Sequence, residues 1–172
     1  VLVFDGKTVP DYEVHLAVPQ RLVAVMAHDH PLSQHAVLRL RQCYEFPVAL
    51  PLKAFTGRVI LERALYSKTF EKTPILESNS FEFLLAHVAK TQAVTFQVQI
   101  GTPDTAQNGS IVSRNIDARD VAGGVLLLGL KRSRALQVAA SRFVEQIALA
   151  LSAKYEADWS SSPIDSKAGA KS

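Results

Sequence analysis

The chain carries a single cysteine, Cys43. One thiol excludes an intrachain disulfide and any zinc site built from paired cysteines. A redox sensor needs an exposed, acidified thiol and often a resolving partner. Arg39 and Arg41 stand near Cys43 in sequence, but there is no second cysteine, so an inert, buried thiol is expected. Long apolar runs are also missing. None reaches the ~18 residues of a membrane-spanning helix, so no membrane partner is expected. The opening Val1-Leu2-Val3-Phe4-Asp5 has neither a basic leader nor a cleavage site. These absences fit a reducing, cytoplasmic setting.

A charge excess of one sign is lacking too, with 19 Lys and Arg against 16 Asp and Glu. Nucleic-acid-binding faces cluster their basic residues. The densest run here, Lys131-Arg132-Ser133-Arg134, stands where a strand hands over to a helix and reads as a solvated turn. Catalytic signatures are absent as well. Gly109-Ser110 is not a Gly-x-Ser-x-Gly elbow, and Gly123-Gly124 is too short for a phosphate loop. His28-Asp29-His30 offers two histidines at i and i+2 with no third ligand, so a strand end is favoured over a metal site. His15, His35 and His87 show no metal spacing. No enzyme activity, metal or cofactor is expected.

What is present is ordinary for a globular protein: 172 residues, 48% hydrophobic and 20% charged. That is enough to bury one α/β core or two small lobes. Apolar runs bounded by Pro, Gly and polar clusters predict strands at Val1–Phe4, Leu22–Ala27, Phe46–Pro51, Pro74–Glu77, Ala93–Val98, Ile111–Ile116 and Val125–Leu130. Lys7–Asp11 reads as a loop, Gly101–Asn108 as turn or short helix, and Asp117–Gly124 as a linker. Val37–Cys43 is expected to be one or two helical turns. Phe55, Val59, Ile60, Ala64 and Leu65 share a helical face, as do Phe81, Leu84, Leu85 and Val88. Asn79, with Glu82 three residues on, is the expected cap of the latter helix. Leu136–Tyr155 is the longest helical pattern, its stripe being Leu136, Ala140, Phe143, Val144, Ile147 and Leu151. From Asp158 to Ser172 the chain is polar and expected to be disordered.

Alternation of strands and helices from Phe46 to Val98 predicts parallel βαβ units. In such sheets ligands bind beyond the carboxyl ends of the strands. The segments at those ends are 52–57, 78–81 and 97–99. Lys53 is a candidate to pair with a carboxylate, and Thr56 to donate a hydroxyl bond; the alternatives are a solvated lysine and a plain N-cap. Asn79 and Ser80 sit at a helix N-terminus, whose N–H groups favour anions. Gln97 and Gln99 are spaced to point to one side of a strand. Phe81 is expected to be core rather than pocket wall.

The order of segments resembles the LysR-type transcription regulators. Arg21–Met26 leading into His30-Pro31-Leu32 is similar to their "LVAV…HPLA" stretch. Phe46–Pro51 matches the next strand, and Ile75–Leu85 resembles "ETNSFEALL". Val94–Gly101 is similar to "GIAFQTRIG", and Ala139–Phe143 to the closing "AARAFLELL" helix. The resemblance covers residues 1 to about 156, with Thr91-Gln92-Ala93 departing from the family's Gly-x-Gly. It implies an α/β, type 2 periplasmic-binding-protein-like fold, two lobes of mixed sheet flanked by helices, with the second lobe complete and the first partial. Residues 1–13 would end the first lobe and its crossover, 14–122 would form the second lobe, and 123–157 would return to the first. The implied function is sensing of a small-molecule effector, with an anionic metabolite as a candidate, held between the lobes by Lys53, Thr56, Asn79, Ser80, Gln97 and Gln99. Its partners would be a homodimer or homotetramer, with DNA contacted only through an N-terminal winged helix-turn-helix outside this segment. The abrupt apolar opening without Met fits a chain that begins inside a larger protein. A solute-binding protein of a transport system with the same fold is the alternative; an enzyme on an α/β scaffold is disfavoured by the missing motifs.

Overall fold

The computed structural model describes residues 1–4, 11–66, 68–70, 72–102, 109–132 and 136–159, with only the backbone path for 156–159. In chain order the elements are β1 (Leu2–Phe4), β2 (Tyr12–Gln20), β3 (Leu22–Ala27), β4 (Val37–Leu38), α1 (Leu40–Cys43), β5 (Ala49–Pro51), α2 (Thr56–Leu65), β6 (Leu76–Ser78), α3 (Phe81–Val88), β7 (Thr95–Val98), β8 (Ile111–Ile116), β9 (Gly124–Lys131) and α4 (Val138–Trp159). They divide into two compact units, Val1–Gln20 with Gly124–Ser172, and Arg21–Gly123.

The first unit is an antiparallel sheet in the order β1-β9-β2, with α4 packed on β2. Leu126 and Leu128 of the central strand are buried and pair with Phe4 and Leu2 on one side, Val18 and Leu16 on the other. Strand β2 has no counterpart among the predicted elements. It holds Pro19, which removes a ladder donor and is tolerated because β2 is an edge strand. Its register slips between Val14 and Leu16. Gly124 is required by close approach: a Cβ there would stand 2.6 Å from the Phe4 ring. Helix α4 turns Ala140, Val144, Ile147, Leu151 and Tyr155 away from solvent, but Phe143, expected on that stripe, is 63% exposed. The helix also runs past Tyr155 to Trp159, so Asp158 is helical rather than the start of a disordered tail. Ala153, Lys154, Glu156 and Ala157 are all good helix formers, which accounts for the extension. The rest of the expected tail, 160–172, lies outside the described residues, as do 5–10, 103–108 and 133–135 within the predicted loops and turns.

The second unit is built around β3, buried along all six residues. The sheet order is β4-β8-β3-β7, with β3 antiparallel to both neighbours. A parallel pair, β5 and β6, joins it through a bridge between Val48 and Val94. Alternation sends Leu22, Ala24 and Met26 into one core with Phe96 and the α2 residues Leu61 and Leu65. Val23 and Val25 face the other core, with Leu84 and Val88 of α3. Burying each of these leucines and valines contributes ~1.5–3 kcal/mol. The parallel β5–α2–β6–α3–β7 succession is the one expected from the alternation. Three local expectations are corrected. Val37–Leu38 pairs with β8 as a strand, so only Leu40–Cys43 is helical. Leu61 replaces Val59 as the inward residue of α2, because Phe55 lies before the helix and the buried face is Arg58, Leu61 and Leu65. The cap of α3 is Ser80, not Asn79.

Candidate functional site

Strands β5, β6 and β7 end at one edge of the second unit. Leu52 N–H donates to the Ser78 carbonyl at 3.0 Å, tying the first two strand ends together. Phe55 and Phe81, which open the segments entering α2 and α3, meet edge-to-face at 4.9 Å. Phe81 is thus a packing residue, as expected. Arg58, 5% exposed, sits in the first turn of α2. It donates to the Pro51 carbonyl (3.2 Å), Glu77 (2.7 Å) and Glu62 (3.0 Å). This buried guanidinium clamps β5, β6 and α2 to one another.

The helix starts differ in how they are capped. Ser80 Oγ accepts from Phe83 N–H at 3.1 Å and donates to Glu82 at 3.0 Å, and Ser80 N–H donates to Ser78 Oγ at 3.1 Å. The Glu82 carboxyl is held below its usual pKa by its own backbone N–H and then by Ser80. The hydroxyl of Ser80 is therefore committed to the fold. Asn79 beside it is exposed. At α2 the cap position falls to Phe55, whose side chain accepts nothing, and Thr56 is the first helical residue rather than the cap. The N–H groups of Thr56 and Gly57 have no partner among the described residues. Gly57 packs closely on the end of β7: a Cβ there would stand 3.3 Å from Val98 Cγ2. Lys53 is exposed and 3.6 Å from Glu62, a loose ion pair.

The two glutamines do not share a face. Gln97 lies in β7, but the strand ends at Val98, and Gln99 opens a 3₁₀ turn through Gly101. Its N–H donates to the Arg21 carbonyl at 2.9 Å, and its own carbonyl accepts from Thr102 N–H and Oγ. Strand alternation therefore stops before Gln99. Gln97, by contrast, is 2% exposed, and neither end of its amide has a hydrogen-bond partner among the described residues. Such a group loses its water without compensation, which costs about 1–3 kcal/mol. Among the described residues two further buried side-chain atoms are left unpaired, Thr95 Oγ1 on the same face of β7 and His87 Nε2 on α3. All of these unpaired atoms come from two elements that pack together. Neither Thr95 nor His87 was singled out as a candidate, although a polar residue at every second position of an otherwise apolar strand was a visible signal.

The remaining histidine and cysteine candidates are structural. His30 is buried; its Nδ1 accepts from Leu32 N–H at 3.1 Å and its Nε2 lies 3.3 Å from the Gln92 carbonyl. Both ring nitrogens are engaged, which fits the strand-end reading. Cys43 is fully buried, and burial pushes its thiol up to about 12.

This arrangement is an α/β periplasmic-binding-protein-like domain with hydrogen-bonding groups at its strand ends. The chain belongs to the family of the LysR substrate binding domain, whose model matches residues 1–151. No curated protein matches the chain. Among solved structures it is similar to HinK, a LysR family transcriptional regulator from Pseudomonas aeruginosa (TM-score 0.64, 16% identity, covering 87% of this chain and 51% of HinK). It is also similar to the effector binding domain of QuiR in complex with shikimate (TM-score 0.63, 14% identity, 89% and 71% covered). A third is the Synechocystis CcmR regulatory domain in complex with 2-PG (TM-score 0.61, 15% identity, 87% and 72% covered). The chain thus spans about half the length of the HinK chain.

Proposed function

We propose that this chain is the effector-sensing part of a LysR-type transcription regulator and that it has no catalytic role. The observation that carries the reading is the buried amide of Gln97 near the end of β7, unpaired among the described residues; its pairing with Val23 puts it on the α3 face of the sheet, while the uncapped start of α2 lies against the other face. An amide held without partners in a closed core is destabilising unless something fills it. The Thr56 and Gly57 N–H groups, at the end of the same strand but on its other face, form a partial positive end suited to an anionic group. Lys53 and Thr56 flank that end, whereas Asn79, Ser80 and Gln99 are secondary, since Ser80 and Gln99 spend their bonds on the fold. Solved neighbours bound to shikimate and to 2-PG support a small-molecule ligand in this fold. Ligand binding would shift a conformational population in a homo-oligomer and so its hold on DNA. The exposed Val138, Phe143 and Leu149 of α4 favour self-association. Among the described residues no helix is long and apolar enough to cross a membrane.

The test is titration of the intact protein with small carboxylates, reading promoter-DNA binding. Replacing Gln97 with Leu removes one neutral hydrogen bond, so the effector Kd should rise roughly fivefold to tenfold. An unchanged Kd in Gln97→Leu and in Thr56→Val would place the effector elsewhere.

A further inference from the structure

The opposite edge of the same sheet carries an open polar groove. Strand β4 begins only at Val37, so among the described residues β8 before Asn115 has no strand on its outer side. The segment Gln34–Ala36 stands off from it and leaves a groove of about 470 Å³, lined by Gln34, His35, Ala36, Ser113, Arg114 and Asn115. No acidic residue is among the lining groups.

Arg114 gives this open groove a fixed positive charge. Its Nε donates to the Ser33 carbonyl and its Nη1 to the Ser113 carbonyl, both at 2.8 Å. The two carbonyls fix the guanidinium plane but carry no charge. Arg39, Arg58 and Arg119 are each paired with an aspartate or glutamate. Arg114, half-buried, has no carboxylate at ion-pair distance among the described residues. A guanidinium has five N–H donors, so some remain uncommitted, held in a fork that matches carboxylate or phosphoryl oxygens. Asn115, Gln34 and Ser113 add neutral hydrogen-bond groups around it. We infer that this groove binds a small anion through Arg114, a carboxylate or phosphoryl group on a metabolite. The site is separate from the strand ends of β5 to β7. Strand order places β8 three steps from β5, or ~14 Å at the usual inter-strand spacing.

The probes are inorganic phosphate and succinate, added to the intact protein at an ionic strength matched with sodium chloride. The readout is the concentration-dependent rise in Tm. At least one probe should raise Tm beyond sodium chloride, and which one does so identifies the phosphoryl or carboxylate chemistry. Arg114→Gln should raise the half-saturating concentration roughly tenfold or more, as expected for a lost bond to a charged group. Because Arg114→Gln also removes two bonds to backbone, Asn115→Asp is the second variant. It sets a negative charge on the groove wall and should abolish the effect. Gln97→Leu should leave it intact. Absence of any rise beyond sodium chloride, persistence of the rise in Asn115→Asp, or its loss in Gln97→Leu each overturns the proposal. The last outcome would assign the anion to the strand-end site instead.

Discussion

Ser80 and Asn79 are adjacent, and the structure divides their roles in a way a stability measurement reads directly. Ser80 Oγ accepts the Phe83 N–H at 3.1 Å. Helix α3 spans only eight residues, yet it supplies Leu84 and Val88 to the second core. Ser80→Ala leaves that N–H without its acceptor, at a cost of 0.5–2 kcal/mol and about 1 kcal/mol typically. Ser80 is partly exposed, so water replaces part of the lost bond and the upper end of that range is not expected. For a chain of this size 1 kcal/mol corresponds to a drop of about 2–4 °C in Tm. Ser80→Asn, which keeps a cap acceptor, should recover most of it. Asn79→Ala touches no cap and should stay within about 0.5 kcal/mol of the parent. Urea denaturation of the three variants, with the m-value monitored, is the assay. A costly Asn79→Ala beside a neutral Ser80→Ala would refute the capping assignment.

Thr95→Val removes a buried hydroxyl that has no partner, so the unliganded protein should be unchanged or up to about 1 kcal/mol more stable; a clear loss in thermal melts would mean the hydroxyl is satisfied in solution. Burial holds the His30 imidazole below its ordinary pKa, ahead of the opposing effects of the Gln92 carbonyl and Asp29. Stability from this group is therefore complete above about pH 6.5, the unfolded value, and is lost as pH falls through the lowered folded value. Denaturation at pH 7.5 and 5 should show a smaller loss for His30→Asn than for the parent, and equal losses would contradict the assignment. Cys43, with its thiol pushed up to about 12, should resist alkylation at pH 8 until the protein is unfolded; labelling of the native protein at the rate of a free thiol would exclude the buried geometry.

Much of the second unit was legible because its strands are continuous apolar runs bounded by turn residues. Leu22–Ala27 is the plainest case, buried on both faces and flagged by its unbroken hydrophobicity. The parallel βαβ succession followed from alternation alone. Strand β2 was legible in principle: Tyr12, Val14, Leu16 and Val18 alternate with Glu13 and His15 at the period of a half-buried strand, and only Pro19 argues against a strand there. The α3 cap moved by one residue because Asn79 and Ser80 are both good caps, and only the backbone path decides which meets the N–H groups. At the site, polarity and position brought out Gln97, but its isolation depends on neighbours distant in sequence. Gln99 misled because strand alternation was extended one residue past the end of β7. Arg58 and Arg114 were not legible as special. Each owes its role to partners brought in by folding, Glu77 and Pro51 in one case and the empty edge of β8 in the other.

The central claim is that a small molecule is sensed at the strand ends of the second unit through Gln97. A crystal structure of the intact protein with the effector that the promoter-binding titration selects tests this most directly. The account predicts a ligand oxygen or nitrogen at about 3 Å from the Gln97 amide. An effector bound elsewhere, with the Gln97 amide still unpaired, would contradict it.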